Sequence, residues 1–209
     1  MSELAGLHEG AAALGITLTD DSAAALVALS DILQAGNAQF NLTAIRDREG
    51  ILRKHLLDSL SVQPHLHGTR IADIGTGAGF PGLPLAIINP QRQFVLVEST
   101  GKKARFVASA AAQLFLKNVE VVNQRAEDYQ PVQAFDSVVA RALASLATFT
   151  DQAGHLCAAS GRLLAMKGRR PDEEIAALPR GFRIAAVHRL VIPGLPDERH
   201  LVEIMRAGR

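Results

Sequence analysis

The sequence contains one cysteine, Cys157, which excludes an internal disulfide and any cysteine-based metal cluster. No apolar run approaches the roughly 18 residues that a membrane-spanning helix requires. The first residues are acidic and alanine-rich, without the basic start and cleavage site of a secretory leader. A cytoplasmic protein without membrane attachment is therefore expected. The 209 residues, 48% of them hydrophobic, are enough for one well-buried core with at most a small extension.

Positive charge is also missing from a whole segment. Residues 1–45 hold no Lys or Arg, but five acids: Glu3, Glu9, Asp20, Asp21 and Asp31. All 22 basic residues follow, against 16 of the 21 acids. The pattern suggests a small acidic element on a basic body.

What is present has a clear order. Leu4, Leu7, Ala11 and Leu14 lie at helical spacing within residues 2–14, with Gly15 as a stop. Thr19 or Asp20 caps a second helix carrying Leu26, Leu29 and Leu33, which Gly36 is expected to end. Residues 37–45 read as a packed loop, and a third helix starts near Asp47 and runs toward Pro64. From Arg70 onward strands and helices alternate. Strand-like segments at 71–74, 94–97, 119–122, 135–140 and 162–166, of which 94–97 is a continuous apolar run, are interspersed with helical stretches at 83–88, 102–116 and 143–158. Such alternation predicts a doubly wound, mostly parallel α/β sheet. Residues 182–192 and 200–205, around Pro193-Gly-Leu-Pro-Asp197, read as a terminal antiparallel hairpin. The expected division is a helical cap over 1–66 and a Rossmann-like core over 67–209, forming one compact unit.

The core is organised around Arg70-Ile-Ala-Asp-Ile-Gly-Thr-Gly-Ala-Gly-Phe-Pro-Gly82. Strand, glycine turn and helix begin a nucleotide site, because glycine lets the backbone turn sharply and approach a ligand. The spacing Gly75-x-Gly77-x-Gly79 differs from the dinucleotide pattern G-x-G-x-x-G. Pro81 removes a backbone donor. Asp73 places a negative charge where a pyrophosphate would be repelled and a cation accepted. These features favour S-adenosylmethionine over a nicotinamide dinucleotide. Glu98 ends the second strand 19 residues after Gly79, where an acid accepts hydrogen bonds from ribose hydroxyls. Ala126 and Glu127 follow the third strand, where the adenine should pass.

Arg141 follows the fourth strand, facing the transferable methyl. Amino-group methylases of adenine or cytosine carry an Asn/Asp-Pro-Pro-aromatic motif at this point, and this sequence has Ala140-Arg-Ala-Leu143 instead. Cytosine C5 methylation requires a cysteine here, whereas Cys157 falls on the following helix and reads as an inert buried thiol. Guanine N7 already holds a free lone pair, so its methylation needs alignment and not a general base. Lys167, Arg169 and Arg170 follow the fifth strand, on the same edge as Arg141. Arg46, Arg48, Arg53 and Lys54 surround the start of the third helix. Both groups suit phosphate contacts with RNA. His55, Asp58 and Ser59 share one face of the third helix, which suggests a local His–Asp pair with a positioning role.

Several segments occur together in a specific order: Asn41-Leu-Thr-Ala-Ile45, His55-Leu-Leu-Asp-Ser-Leu60, the turn itself, Glu98-Ser-Thr-Gly-Lys-Lys103, Arg125-Ala-Glu127, Val139-Ala-Arg-Ala142 and Lys167-Gly168. Across nearly the whole chain they resemble the bacterial small-subunit ribosomal RNA guanine-N7 methyltransferases, also called the glucose-inhibited division protein B family. The resemblance implies a Rossmann-like class I methyltransferase fold. It further implies S-adenosylmethionine as cofactor and one guanine in the loop of 16S rRNA helix eighteen as target, in the small ribosomal subunit or its assembly intermediate. It implies that Gly75, Phe80, Ala126, Glu127 and Arg141 contact the donor, and no metal is expected. Ala78 and Glu98 stand where the family often has proline and aspartate. A monomer is the expected state. Another RNA methyltransferase, a nicotinamide oxidoreductase and a non-catalytic RNA-binding protein are the competing readings. The oxidoreductase would need a later third glycine and no Asp73, and the binding protein would have no use for Asp73 and Glu98.

Overall fold

The computed structural model describes residues 3–142 and 145–208. Seven strands form one sheet in the order β3-β2-β1-β4-β5-β7-β6. Its first five strands, β1 (Arg70–Ile74), β2 (Gln93–Val97), β3 (Val119–Val122), β4 (Phe135–Arg141) and β5 (Cys157–Lys167), run parallel. Their buried stretches, such as Phe94–Val97 in β2 and Leu163–Met166 in β5, are apolar because helices cover both faces of the sheet. The hairpin strands β6 (Phe182–Leu190) and β7 (Arg199–Arg206) pair antiparallel, and β7 lies between β5 and β6. Strand β1 pairs with β2 on one side and β4 on the other, with Ile74 opposite both Val97 and Ala140. The strand order reverses here, and that opens a crevice at the carboxyl ends of these strands.

The helices divide between two layers. α1 (Glu3–Ala13) and α2 (Asp20–Phe40) precede the sheet. The third helix, residues 48–60, is composite: α3 (Arg48–Ile51), a π-helical stretch (Leu52–Leu57) and α4 (Asp58–Leu60). Asp47 caps it as expected, its side chain accepting the Gly50 N–H at 2.7 Å. Helices α5 (Gly82–Ile88) and α6 (Gly101–Gln113) complete this layer. One buried apolar cluster joins Leu7, Leu29 and Leu57 from the early helices to Ile71, Leu96 and Leu201 from the sheet. Burying each such leucine contributes about 1.5–3 kcal/mol, so the early helices and the sheet stabilise each other. On the opposite face α7 (Leu146–Ala153) packs Phe149 against Ala72, Val95 and Val138. A short α8 (Asp172–Ala176), not anticipated from the sequence, follows β5.

Three local expectations are corrected. Helix α2 does not end at Gly36 but continues to Phe40, and the chain turns at Asn41, whose φ of 50° is left-handed. The glycine serves packing: a β-carbon on Gly36 would lie 2.4 Å from the Phe106 ring. Tertiary contact between α2 and α6 overrides the local stop signal. Residues 37–40, expected in a loop, are therefore helical. The helix expected over 143–158 spans Leu146–Ala153 among the described residues, with Leu143 outside them. Cys157 accordingly opens strand β5, buried, with burial pushing its thiol up to about 11. Burial thus keeps it a protonated thiol, the poorly nucleophilic form.

Candidate functional site

The glycine turn is held from beneath by Asp73. This side chain is buried at the end of β1, and its Oδ2 accepts from Thr76 Oγ1 at 2.5 Å and from the Gly82 N–H at 2.8 Å. Asp73 therefore spends one oxygen on the turn instead of offering its whole carboxylate outward. Its Oδ1 is buried without a protein partner. Burial pushes the Asp73 carboxyl up to about 6, against the pull of Thr76, Gly82 and Arg141. A cationic ligand above it would satisfy Oδ1 and stabilise the charged form.

Gly75, Gly77 and Gly79 all adopt positive φ, at 64°, 62° and 93°. Their surroundings differ. A β-carbon on Gly79 would lie 2.4 Å from Leu83, a packing constraint, but one on Gly77 would meet nothing closer than the Gly75 oxygen at 3.9 Å. Gly77 thus faces open space, as a ligand cradle does. The Gly77 N–H donates to Glu98 Oε2 at 2.9 Å, and Glu98 Oε1 accepts the Thr100 N–H at 2.8 Å. Two carboxylate oxygens have about four lone-pair sites, so Glu98 can tie down the turn and still accept from a ligand. Asn123 bonds the Glu98 and Ser99 carbonyls and fixes the end of β3 beside it. Ala126 is buried and Glu127 exposed on the short turn Ala126–Asp128. The turn, Glu98 and this loop line the carboxyl edge together, as the spacing predicted.

Arg141 is the last residue of β4 and reaches the third helix. Its Nη1 donates to the Lys54 carbonyl at 3.1 Å and to Asp58 Oδ2 at 3.2 Å, and its Nη2 to His55 Nδ1 at 3.2 Å. The guanidinium carbon lies 5.6 Å from the centroid of the buried Phe80 ring, and His55 stacks on the same ring at 4.9 Å. The expected local His55–Asp58 pair is replaced by this arrangement, in which both side chains serve Arg141. A π-helical turn makes it possible. The Asp58 N–H, which an ordinary helix would direct to Lys54, bonds to the Arg53 and His55 carbonyls instead.

A guanidinium only donates, so His55 Nδ1 accepts and the neutral ring carries its hydrogen on Nε2. Nε2 then donates to Thr43 Oγ1 at 2.9 Å. Burial, followed by the Arg141 charge, pushes His55 down to about 4. Neutral and bonded at both nitrogens, His55 has no free site to take a proton. Thr43 is held in turn by Asn37, which bonds its N–H and carbonyl at 2.9 Å each. Asp58 is buried between Arg141 and Arg199, the latter donating from Nε to Oδ1 at 3.1 Å. Burial raises its carboxyl against the pull of both guanidiniums.

Several basic residues expected at the RNA surface are held by acids of this chain. Arg48 bridges Glu3 and Asp31 at 2.5 Å each, using the acids of the early helices. Lys167 donates to both oxygens of Glu174, and Glu174 also accepts the Leu146 N–H. Arg170 pairs with Asp172 in solvent at 2.7 Å. Arg53 and Lys54 pair with Glu49 and Asp197. Arg46 and Arg169 are exposed and have no ion-pair partner among the described residues. Arg169 and Arg199 line a cavity of about 530 Å³ with Asp197 and Glu198. Sequence reasoning missed Thr43, Thr76, Asn123 and Arg199. Thr43 lies in the Asn41-Leu-Thr segment, a signal that marked it; Arg199 carried none.

Comparison with known proteins follows the same lines. The family model described as "GidB: rRNA small subunit methyltransferase G" matches residues 22–202. Ribosomal RNA small subunit methyltransferase G of Aeromonas hydrophila subsp. hydrophila is 49% identical over 189 residues, covering 90% of this chain and 88% of that protein. The protein of the same name from Nitrosospira multiformis is 45% identical over 216 residues, covering 100% of both. Among solved structures, the O-methyltransferase TomG from Streptomyces achromogenes, in complex with SAM, aligns with a TM-score of 0.57 at 17% identity. That alignment covers 88% of this chain and 90% of that one, and the likeness is one of fold.

Proposed function

As a member of the rRNA small subunit methyltransferase G family, this chain is a ribosomal RNA methyltransferase, and we propose that it methylates N7 of one guanine in 16S rRNA. Its fold is the Rossmann-like class I methyltransferase fold. The methyl donor is S-adenosylmethionine, which supplies an electrophilic methyl group on a sulfonium. The observation that carries this reading is the buried, unpartnered Asp73 Oδ1 beneath the open cradle at Gly77. A full anionic acceptor under such a turn fits a donor with an ammonium group and repels a pyrophosphate. Gly75, Gly77, Gly79 and Phe80 would border the donor, Glu98 would accept from its ribose, and Ala126 and Glu127 would meet its adenine. Arg141 would orient the reacting end.

The choice of guanine N7 rests on proton accounting. N7 has a lone pair and loses no proton on methylation, so the site needs no general base. His55, the histidine beside Arg141, is neutral with both nitrogens bonded. Arg46 and Arg169 would meet RNA phosphates, with Arg170 and Lys167 contributing less because acids hold them. The target base lies in the helix-eighteen loop, on the small subunit or its assembly intermediate, and the protein acts as a monomer in the cytoplasm. Residues 1–66 form a helical cap on a 67–209 core.

Methyl transfer from labelled S-adenosylmethionine to 16S rRNA, followed by nucleoside analysis, tests the reading. The expected product is 7-methylguanosine, detected also by chain cleavage after mild reduction and aniline. N2-methylguanosine or a methylated adenine would overturn the N7 assignment, and absence of transfer to RNA or subunits would overturn the whole proposal.

A further inference from the structure

Asp58 stands where the third helix, β4 and β7 meet. Its side chain is 4% exposed, and its two oxygens go to two different guanidiniums, Arg141 and Arg199. A guanidinium has five N–H donors in a rigid plane. Arg141 spends three of them, on the Lys54 carbonyl, Asp58 and His55. The Nε–H and one Nη2–H remain. The side chain keeps 22% exposure. Anchored on a backbone carbonyl, a carboxylate and an imidazole, the plane of this guanidinium cannot rotate.

We propose that Asp58 is a positioning residue for the methyl donor, clamping Arg141 so that its two remaining N–H groups receive the donor's α-carboxylate. The inference rests on the donor assigned above. A carboxylate offers two acceptor oxygens to a pair of N–H groups, the strongest pairing open to arginine. Guanine N7 is excluded as the acceptor, because its lone pair must stay free to react. Asp73 and Arg141 lie at the ends of the adjacent strands β1 and β4, so the ammonium and carboxylate of one amino acid would find opposite charges on neighbouring strands. Arg199 has its own part. Asp58 divides its two oxygens between two guanidiniums and so does not neutralise Arg141 alone, and Arg141 keeps its attraction for an anion. Asp58 thereby orients Arg141 without neutralising it.

The test compares two ligands by titration calorimetry, S-adenosylhomocysteine and 5′-methylthioadenosine. The second has the same nucleoside and sulfur but no amino-acid carboxylate. In Asp58→Asn, which preserves shape, affinity for S-adenosylhomocysteine should fall roughly tenfold, while affinity for methylthioadenosine stays within about twofold. Equal weakening of both ligands would make Asp58 a general structural support and overturn the proposal; so would no weakening of either. If ligand-free thermal unfolding shows that Asp58→Asn does not fold, Arg199→Met carries the test. With Asp58 left to Arg141 alone, S-adenosylhomocysteine should bind about threefold more weakly and methylthioadenosine unchanged. An unaltered preference between the ligands in that variant overturns the proposal. A parent protein that binds neither ligand would overturn the donor assignment itself.

Discussion

The backbone carbonyl of Lys54 accepts a hydrogen bond from Arg141 Nη1 at 3.1 Å, across 87 residues of sequence. The third helix and the fourth strand are thus locked together beside the glycine turn. A π-helical stretch redirects the Asp58 N–H away from that carbonyl, and side chains on the same stretch complete the contact. The helix is wound against the end of β4; three measurements follow from the site it helps to build and a fourth from the packing of α2 on α6.

A side chain at Gly77 would enter open space in the protein, where the proposed donor would lie. Gly77→Ala should fold, with a loss of about 1–3 kcal/mol from the left-handed backbone. In the parent, S-adenosylmethionine and S-adenosylhomocysteine should raise the melting temperature by mass action, and NAD should not. The variant should lose that rise. A normal thermal shift in Gly77→Ala would show that the donor lies elsewhere.

The buried pair Asp73 and His55 should give opposing pH dependences. Asp73 titrates near 6 when folded, above its ordinary 3.8, so its contribution is present below 3.8 and lost as pH rises through 6. His55 titrates near 4, below its ordinary 6.5, so its contribution is present above 6.5 and lost as pH falls through 4. Each is worth on the order of 3 kcal/mol, and between pH 4 and 6.5 they offset one another. His55→Gln removes only the second. Its stability relative to the parent, measured by urea unfolding, should rise by up to about 3 kcal/mol between pH 7 and pH 4. Parallel stability curves for the two proteins would refute the buried neutral histidine.

The free arginines should reveal themselves through salt. Replacing Arg169 by Ala should flatten the log–log salt dependence of affinity for an rRNA fragment by roughly 0.7 to 0.9, as should replacing Arg46. Replacing Arg170 as well should add less, since Asp172 already holds it. Donor affinity should stay unchanged in all three. Arg48→Ala should leave the slope alone, because Glu3 and Asp31 occupy that side chain. Coincident slopes for the Arg169 variant and the parent would remove that loop from the RNA surface.

Gly36 separates two readings of one residue. In an ordinary helix interior, Gly→Ala stabilises by about 1 kcal/mol. Here the new β-carbon would lie 2.4 Å from the Phe106 ring, so Gly36→Ala should destabilise by about 1–3 kcal/mol instead. Chemical denaturation gives the sign directly. A stabilised variant would mean that α2 and α6 have room to part.

The sheet and the glycine turn were legible because their signals are local. Buried parallel strands need unbroken apolar runs, and residues 94–97 form one within one residue of the observed strand β2. The third helix begins near Asp47, as expected, and Asp47 caps it. Gly36 misled because its local meaning, a stop, gave way to a contact with Phe106 made 70 residues later in the chain. The same distance problem hid the site's wiring. No sequence pattern reveals that Arg141 takes a backbone carbonyl, that Arg199 shares Asp58, or that Arg48 and Lys167 are consumed by acids. Spacing placed His55 and Asp58 on one helix face correctly, but the partner of both lay on a strand more than 80 residues away. Residue type and local period set the frame; the pairing of charges depends on the closed fold.

Strand β7 enters the sheet between β5 and β6, and it carries Arg199 to Asp58. During synthesis β6 emerges with no neighbour to pair with, and the edge of β5 stays bare until the chain has passed residue 206. The charge cluster around Asp58 is therefore complete only once β7 has entered the sheet and closed it.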